Sequence, residues 1–145
     1  MRLYIASSWR NEARVLRLAE VLRGAGHEVD AFCDKSSGRY SFRLDELRLT
    51  SNLAPNGLLS HPMVLRAFVE DRRKLDWSEG VILMLPAGAS SHLEGGYAVG
   101  QGKALYILEP LGGFEHIGEV ELMYGLATGV FSEHALLKEL RAGKE

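Results

Sequence analysis

The sequence has little cysteine and little net charge, and both features exclude classes of protein. Cys33 is the only cysteine among 145 residues, so an intramolecular disulfide is impossible. A chain without disulfides suits a reducing compartment, and we expect a cytoplasmic protein. The formal net charge is −2, from 17 basic and 19 acidic residues. This balance is not the charge footprint of a protein that binds a nucleic acid polymer, so any nucleotide ligand is expected to be a small molecule.

Long apolar runs are also missing. Runs such as residues 81–85 are far shorter than the roughly 20 residues of a membrane span. The N-terminal segment becomes polar too early for a secretory signal, so we expect no membrane association. Hydrophobic residues make up 46% and charged residues 25% of the chain, an ordinary globular mixture that argues against disorder. The length predicts one domain over residues 1–145.

Five short apolar segments predict β-strands, and they alternate with helical patterns. The strands are expected at residues 3–6, 28–32, 81–85, 104–108 and 129–131. They are continuous apolar runs, which is typical of strands buried on both faces of a parallel sheet. The order of elements therefore predicts a doubly wound, flavodoxin-like α/β fold with helices on both faces of a five-stranded parallel sheet.

Helices are predicted where apolar residues recur every three or four positions. The expected helices are 11–23, a short one near 42–49, 63–77, 91–101 and a last one with Ser132 as its N-cap. Residues 33–60 are the least regular part of the chain. An insertion of that length is typical of a lid or a substrate loop.

Ligands of open α/β sheets bind outside the carboxyl ends of the strands, where the loops 7–10, 86–91 and 109–118 are expected to meet. The first loop contains Ser8, Trp9 and Arg10. A hydroxyl, a guanidinium and free helix N–H groups can together hold a phosphate, and Trp9 could stack on a base. The same residues also fit a helix cap, a half-buried tryptophan and a surface arginine.

Glu94 has two interpretations in the segment 86–103. Ser91 and Glu94 have the spacing of a capping box, in which the glutamate only reaches back to the Ser91 N–H. As a nucleophile, Glu94 would benefit from the positive end of the helix dipole, which favours the ionised carboxylate. Each glycine inside a helix costs about 1 kcal/mol, so several of them indicate close approach by a neighbour or a ligand. These glycines are Gly95, Gly96, Gly100 and Gly102.

Two further polar residues fall on segments that are expected to be buried. Asp71 lies between Phe68 and Leu75 on the apolar stripe of its helix, where a carboxylate requires a partner. Alternatively, Asp71 belongs to a solvated charged run at residues 70–74. Tyr4, in the first strand, is expected in the core with its hydroxyl paired near the strand end. His92 fits an exposed position in the first helical turn better than the position of a general base.

Phosphate-loop and metal-site patterns are absent from the sequence. Ala104 follows Gly102 and Lys103, so the chain has no Walker A motif. Gly24 and Gly26 end a helix instead of opening one, which excludes a dinucleotide fingerprint. No group of cysteine, histidine, aspartate or glutamate residues has the spacing of metal ligands. We therefore expect neither a metal nor a cofactor.

Four segments, in this order along the chain, form a larger pattern. They are 3–6 with the following Ser-Trp-Arg loop, Asp71-x3-Leu75-x2-Ser78-Glu79-x-Val81-Ile82, His92-Leu93-Glu94-Gly95-Gly96-Tyr97-Ala98-x3-Gly102-Lys103, and Glu121-Leu122-Met123-Tyr124. Together they resemble the nucleoside 2-deoxyribosyltransferase family and the related 2'-deoxynucleoside 5'-phosphate N-hydrolases. The third segment is similar to the signature in which a glutamate attacks the anomeric carbon.

The resemblance implies an enzyme that cleaves or exchanges an N-glycosidic bond through a covalent glycosyl-glutamate intermediate, with retained configuration. Glu94 would be the nucleophile, Tyr4 would orient it, and Asp71 would contact the leaving base and assist its protonation. Glu121 and Met123 would reach into the site of a neighbouring subunit, which implies a homo-oligomer.

Two departures from the transferase pattern bear on the substrate. Where the transferases often have an acidic residue that binds the 5'-hydroxyl, this chain has Gly88, with Ser90 and Ser91 nearby. Arg10 matches the nucleotide hydrolases and not the transferases. Both departures favour a substrate with a 5'-phosphate. Two alternatives remain, a nucleotide-binding or sensing domain without turnover and a flavodoxin-like domain in which Glu94 is only a cap.

Overall fold

The structure is a computed structural model that describes residues 1–142. At its centre is a parallel sheet in the order β2-β1-β3-β4-β5. The strands are β1 (Arg2–Ala6), β2 (Glu28–Ala31), β3 (Gly80–Met84), β4 (Ala104–Leu108) and β5 (Gly129–Phe131). This strand order is the flavodoxin-like one, so the predicted fold class is confirmed.

Within residues 1–142, six α-helices accompany the strands. They are α1 (Glu12–Gly24), α2 (Leu44–Thr50), α3 (Pro55–Leu59), α4 (Pro62–Trp77), α5 (Ala89–Gly100) and α6 (Glu133–Ala142). One apolar cluster joins α1 and α6 to side chains such as Ile5 and Ile82. The other joins Leu75 of α4 and Ala98 of α5 to the opposite face of the sheet.

The predicted elements agree closely with the observed ones. β4 and β5 have the predicted bounds, β1 and β2 each differ by one residue at one end, and β3 lies one residue earlier than predicted. Ser132 caps α6, since its hydroxyl accepts a hydrogen bond from the Ala135 N–H at 3.2 Å. The short helix α3 was not predicted. Phe68 is 58% exposed, so the prediction that it lies on the buried stripe of α4 is wrong. The buried residues of α4 are Val64 and Leu75.

The register of the sheet brings the carboxyl ends of the central strands together. Ala6 pairs with Leu83, and Met84 pairs with Leu108. The loops that follow β1, β3 and β4 therefore leave the sheet at the same edge, as predicted. Within residues 1–142, no helix combines the length and the apolar character needed to cross a membrane.

Candidate active site

Hydrogen bonds tie the loop after β1 to the loop after β3. The Ser7 hydroxyl donates to the Met84 carbonyl at 2.9 Å, and the Ser91 hydroxyl donates to the Ser7 carbonyl at 3.0 Å. The Asn11 amide donates to the Ser7 hydroxyl at 3.0 Å and to the Pro86 carbonyl at 2.7 Å. These bonds position the start of α5 against the end of β1.

Arg14, in the first turns of α1, extends this framework to β4. It is buried, and it donates to the Leu85 carbonyl at 3.3 Å and to the Glu109 carbonyl at 3.0 Å. Burial lowers the pKa of Arg14. No sequence pattern indicated this role, because an arginine in an amphipathic helix normally lies at the surface.

Glu94 and Tyr4 form the centre of the site. Tyr4 is buried in β1, and its hydroxyl donates to Glu94 Oε2 on α5. Glu94 is half-buried. Burial raises the pKa of Glu94 to about 8, the negative charge of Asp71 adds to this rise, and the Tyr4 hydrogen bond opposes it. Burial and the Glu94 charge raise the pKa of Tyr4, which keeps the phenol protonated as a donor.

The predicted helical start around Glu94 is wrong in two respects. Helix α5 begins at Ala89 with Gly88 as its N-cap, so Glu94 lies in the second turn. The Ser91 hydroxyl donates to the Ser7 carbonyl, so the predicted capping box does not form. The expectation that the dipole keeps Glu94 ionised also fails, because the dipole effect fades beyond the first turn while burial and Asp71 disfavour the charge.

Asp71 is held by a buried arginine that the sequence did not identify. Arg39 Nη2 donates to Asp71 Oδ1 at 2.7 Å, and Arg39 Nε lies 3.1 Å from Asp30 Oδ1 and 3.3 Å from Oδ2. The Asp71 side chain is 40% exposed, whereas that of Arg39 is 1% exposed. Asp71 therefore has the partner that the first interpretation required, and it is not a fully solvated member of the charged run. Burial raises its pKa, and Arg39 opposes that rise.

One signal could have indicated this ion pair. Asp30 is a charged residue inside β2, a strand whose neighbours Val29 and Ala31 are buried. A buried carboxylate requires a cation or several hydrogen bonds. Sequence spacing alone does not identify Arg39 as that cation, because the partner follows an irregular loop.

The loop after β1, where a phosphate site was predicted, leaves Arg10 open to solvent. Trp9 begins a 3-10 turn, Trp9–Asn11, and Ser8 precedes it without a side-chain capping bond. Trp9 is half-buried and meets Phe32 edge to face, with ring centroids 5.1 Å apart. Arg10 is exposed, and within residues 1–142 no hydrogen bond or ion pair engages its side chain.

The glycines of α5 differ in what surrounds them. A Cβ atom on Gly95 would lie 3.2 Å from a methyl carbon of Leu105, which confirms a close approach by β4. Gly102 follows the helix with φ of +80°, a left-handed conformation. Gly96 and Gly100 have no described atom within 4 Å of a built Cβ, so the predicted packing reason does not apply to them.

His92 connects α5 to the segment that follows β4. Its Nδ1 lies 2.8 Å from the Gly88 carbonyl, and its Nε2 lies 2.9 Å from the Tyr124 hydroxyl. His92 is half-buried, not exposed as predicted, because the Tyr124 ring stacks on it with centroids 5.7 Å apart.

Ser90, two residues after Gly88, is exposed.

Glu121 and Met123 lie in an exposed part of the chain. They flank the start of a 3-10 helix, Leu122–Leu126. Leu122 is 92% exposed and Met123 is 64% exposed. Clusters of large, exposed apolar side chains are typical of surfaces that contact another molecule.

One group of possible metal ligands lies on the loop after β4, although none was predicted. Ligand atoms of Glu115, His116 and Glu119 lie within 4.8 Å of one another. All three residues are exposed, and exposed acidic groups often cluster without an ion. This group therefore does not make the site around Glu94 a metal centre.

Comparisons with known proteins give a match only at the level of structure. No family model and no curated protein matches the chain. The chain is similar to a 2-deoxyribosyltransferase from Bacillus psychrosaccharolyticus, with a TM-score of 0.61 and 19% identity over 91% of this chain and 86% of that one. It is also similar to a CMP N-glycosidase from Clostridium botulinum, with a TM-score of 0.56 and 18% identity over 98% of both chains. The chain shares the fold of both enzymes.

Within this shared fold, the site offers a defined set of chemical groups. Glu94 is a carboxyl group with a raised pKa, and Tyr4 is a neutral donor bonded to it. Asp71 is a second carboxyl group whose charge acts on the first. Two such carboxyl groups can divide the roles of nucleophile and acid–base group.

Proposed function

We propose that the protein is an enzyme of N-glycosidic bonds, made of a single nucleoside 2-deoxyribosyltransferase-like domain. Its substrate would be a (deoxy)nucleoside or a nucleoside 5'-monophosphate, whose bond it cleaves or exchanges. The observation that carries this proposal is the hydrogen bond from the buried Tyr4 hydroxyl to Glu94, next to the charge of Asp71. The shared fold with a deoxyribosyltransferase and a CMP N-glycosidase supports it.

In the first step, an ionised Glu94 forms a bond to C1' of the sugar while the bond from C1' to the base nitrogen breaks. The electron pair of that bond leaves with the base, which takes up a proton. Glu94 holds a proton below about pH 8, and Asp71 lies close enough to influence it. We infer that the proton lost by Glu94 passes to Asp71 and then to the departing base, so that the two carboxyl groups act as one titrating pair.

The second step releases the sugar. Water or a second base attacks C1' from the opposite face and displaces the Glu94 carboxylate, which restores the configuration. Asp71, having given its proton to the first base, accepts one from the attacking group. Tyr4 stabilises the carboxylate in both steps, because its hydroxyl donates to Glu94 and its own pKa lies above the usual range.

The residues of the loops after β1 and β3 favour a 5'-phosphate on the substrate. Arg10 supplies a free guanidinium, and Ser8, Gly88 and Ser90 supply further polar groups on the same two loops. Ser91 has a smaller part than predicted, because its hydroxyl donates to the Ser7 carbonyl. Trp9 would present its exposed ring surface to the base.

We also propose that two copies or more assemble, with Glu121 and Met123 from one copy at the site of another. The exposed apolar side chains of Leu122 and Met123 support this arrangement, since a single copy leaves them in solvent. A cytoplasmic location agrees with the single, buried Cys33.

A second candidate function is a nucleotide-binding or sensing domain without turnover. The raised pKa of Glu94 favours it, because a protonated carboxyl group is not a nucleophile. In this case the same pocket would bind its ligand unchanged.

A base-release assay distinguishes the two functions. The protein is incubated with a panel of nucleosides and nucleoside monophosphates, with and without an acceptor base, and free base is measured by chromatography. We expect release by the wild type and a loss of about 10³-fold or more in Glu94→Ala, since the nucleophile is removed. Glu20→Ala, an exposed glutamate of α1, is the control and should retain full activity.

Equal release by Glu94→Ala and the wild type would refute the role of Glu94. If no substrate releases base while a nucleotide still binds, the sensing function is supported instead. Base exchange without free sugar would identify a transferase, and release to water would identify a hydrolase.

A further inference from the structure

Arg39 is the most completely buried cation near the site, and every arm of its guanidinium is used. Nε faces Asp30, Nη2 donates to Asp71 at 2.7 Å, and Nη1 donates to the Tyr40 carbonyl at 3.1 Å. Its side chain is 1% exposed. The charge of Asp30 and the bond to Asp71 outweigh the effect of burial, so the pKa of Arg39 lies above its usual range.

Arg39 bridges two separate elements of the fold. Asp30 is buried in β2, and Asp71 belongs to α4. Arg39 follows Gly38, which has φ of +79° and turns the chain back toward the sheet. A buried guanidinium with two carboxylate partners has a single low-energy arrangement, because moving it would leave a charge unpaired. Asp71 is the only one of the three side chains that is substantially exposed.

We propose that Arg39 is a positioning residue that, anchored by Asp30, holds the Asp71 carboxylate in one orientation and keeps it ionised beside Glu94. The inference rests on the proposed function, in which Asp71 contacts the departing base. It goes beyond that function by assigning a role to two buried residues that do not touch the substrate.

The arrangement requires an arginine. Its planar fork directs Nε to one carboxylate and Nη2 to the other, whereas a lysine ammonium is a single point charge. Lysine would keep the positive charge and lose the fixed geometry. Arg39→Lys therefore tests orientation separately from charge.

The pKa of Asp71 depends on its burial and on the charges near it. Burial raises this pKa, Arg39 lowers it, and Asp30 and Glu70 raise it. Without Arg39, Asp71 holds its proton to a higher pH and is no longer the ionised partner of a protonated Glu94. The distribution of one proton between the two carboxyl groups would then change.

The experiment compares three variants with the wild type. Arg39→Lys removes the fork, and the double variant Asp30→Asn with Arg39→Met removes both buried charges without leaving either unpaired. Arg73→Met is the matched control, because it removes an arginine that pairs with Glu70 on the exposed side of α4. The substrate is the one with the fastest base release in the panel, and thermal unfolding confirms that each variant is folded.

We expect kcat to fall by about 10- to 100-fold in Arg39→Lys, because a displaced catalytic group loses rate more than binding. KM should change by less than about threefold, and Arg73→Met should match the wild type. In the double variant, the Asp71 carboxyl carbon, observed by ¹³C NMR, should titrate at a higher pH than in the wild type. The pH profile of kcat should shift to higher pH as well.

Unchanged kcat in a folded Arg39→Lys would overturn the proposal, and so would an unmoved Asp71 titration in the double variant. A fall in kcat that only follows a loss of folded protein would also contradict it. If the wild type itself releases no base, the proposed function fails. The Asp71 titration needs no activity, and it would then decide whether Arg39 keeps this carboxylate ionised.

Discussion

At the scale of the residue, Glu94 gives the site its pH dependence. Burial, with the charge of Asp71, raises its pKa to about 8, so the free enzyme holds a proton there at neutral pH. We expect kcat/KM for base release to be constant near neutral pH and to fall about tenfold per pH unit above 8, because the proton that Glu94 passes through Asp71 to the departing base is then missing. A pH–rate profile measures this.

Tyr4 provides a test of that profile. Tyr4→Phe removes the hydrogen bond that lowers the pKa of Glu94, so the falling limb should move to higher pH. A limb that stays in place would assign the profile to another group.

Arg10 is the residue that tests the phosphate. Because its guanidinium is exposed and unpaired within residues 1–142, removing it should not disturb the fold. We expect Arg10→Ala to weaken the binding of monophosphates by about 10- to 100-fold, the loss of a charge-assisted hydrogen bond, and to leave nucleosides nearly unchanged. Isothermal calorimetry with both ligands decides this, and an equal effect on the two would exclude a phosphate contact for Arg10.

Sequence patterns predicted some residues of the site and missed others, depending on how each residue acts. Glu94, Tyr4 and Asp71 were predicted through a resemblance in which their spacing is part of the pattern. Arg39 and Arg14 were not, because each acts through backbone carbonyls or through residues that only the fold brings near. The protonation of Glu94 was also mispredicted, since a helix position says little about burial.

At the scale of the element, α5 offers a comparison of two adjacent glycines. Gly96→Ala should stabilise the protein by about 0.5–1 kcal/mol, because alanine favours the helix and no described atom lies near its Cβ. Gly95→Ala should be at least about 1 kcal/mol less stable than Gly96→Ala, since its Cβ would press on the buried Leu105. Urea unfolding of both variants gives the difference, and equal stabilities would mean that Leu105 repacks freely.

The regular elements were predictable because their signals are local. The strand β3 is a continuous apolar run, and α6 begins at a serine cap. Helix α3 has only the residues Pro55–Leu59, and none of its residues is buried, so it lacks the apolar periodicity that a longer helix displays. The pairing of β2 with α4 through Arg39 depends on tertiary contacts and has no counterpart in the local pattern.

At the scale of the whole molecule, the proposed assembly can be tested directly. We expect sedimentation to give a dimer or a larger oligomer. Leu122→Glu should shift it toward monomer, because it places a charge where an apolar side chain is 92% exposed in one copy. Lys138→Glu, on the exposed surface of α6, is the control. A wild type that sediments as a monomer at the assay concentration would remove Glu121 and Met123 from the site.

The raised pKa of Glu94 also links catalysis to conformational stability. An unfolded chain ionises this carboxyl group near its ordinary pKa of 4.5, whereas the folded protein retains the proton to about 8. Folding therefore takes up a proton in this range, and the free energy of unfolding falls as pH rises from about 4.5 to 8. Glu94→Gln should lose this part of the decline and be more stable than the wild type above pH 8. The proton that the departing base takes up is thus the same proton that stabilises the fold.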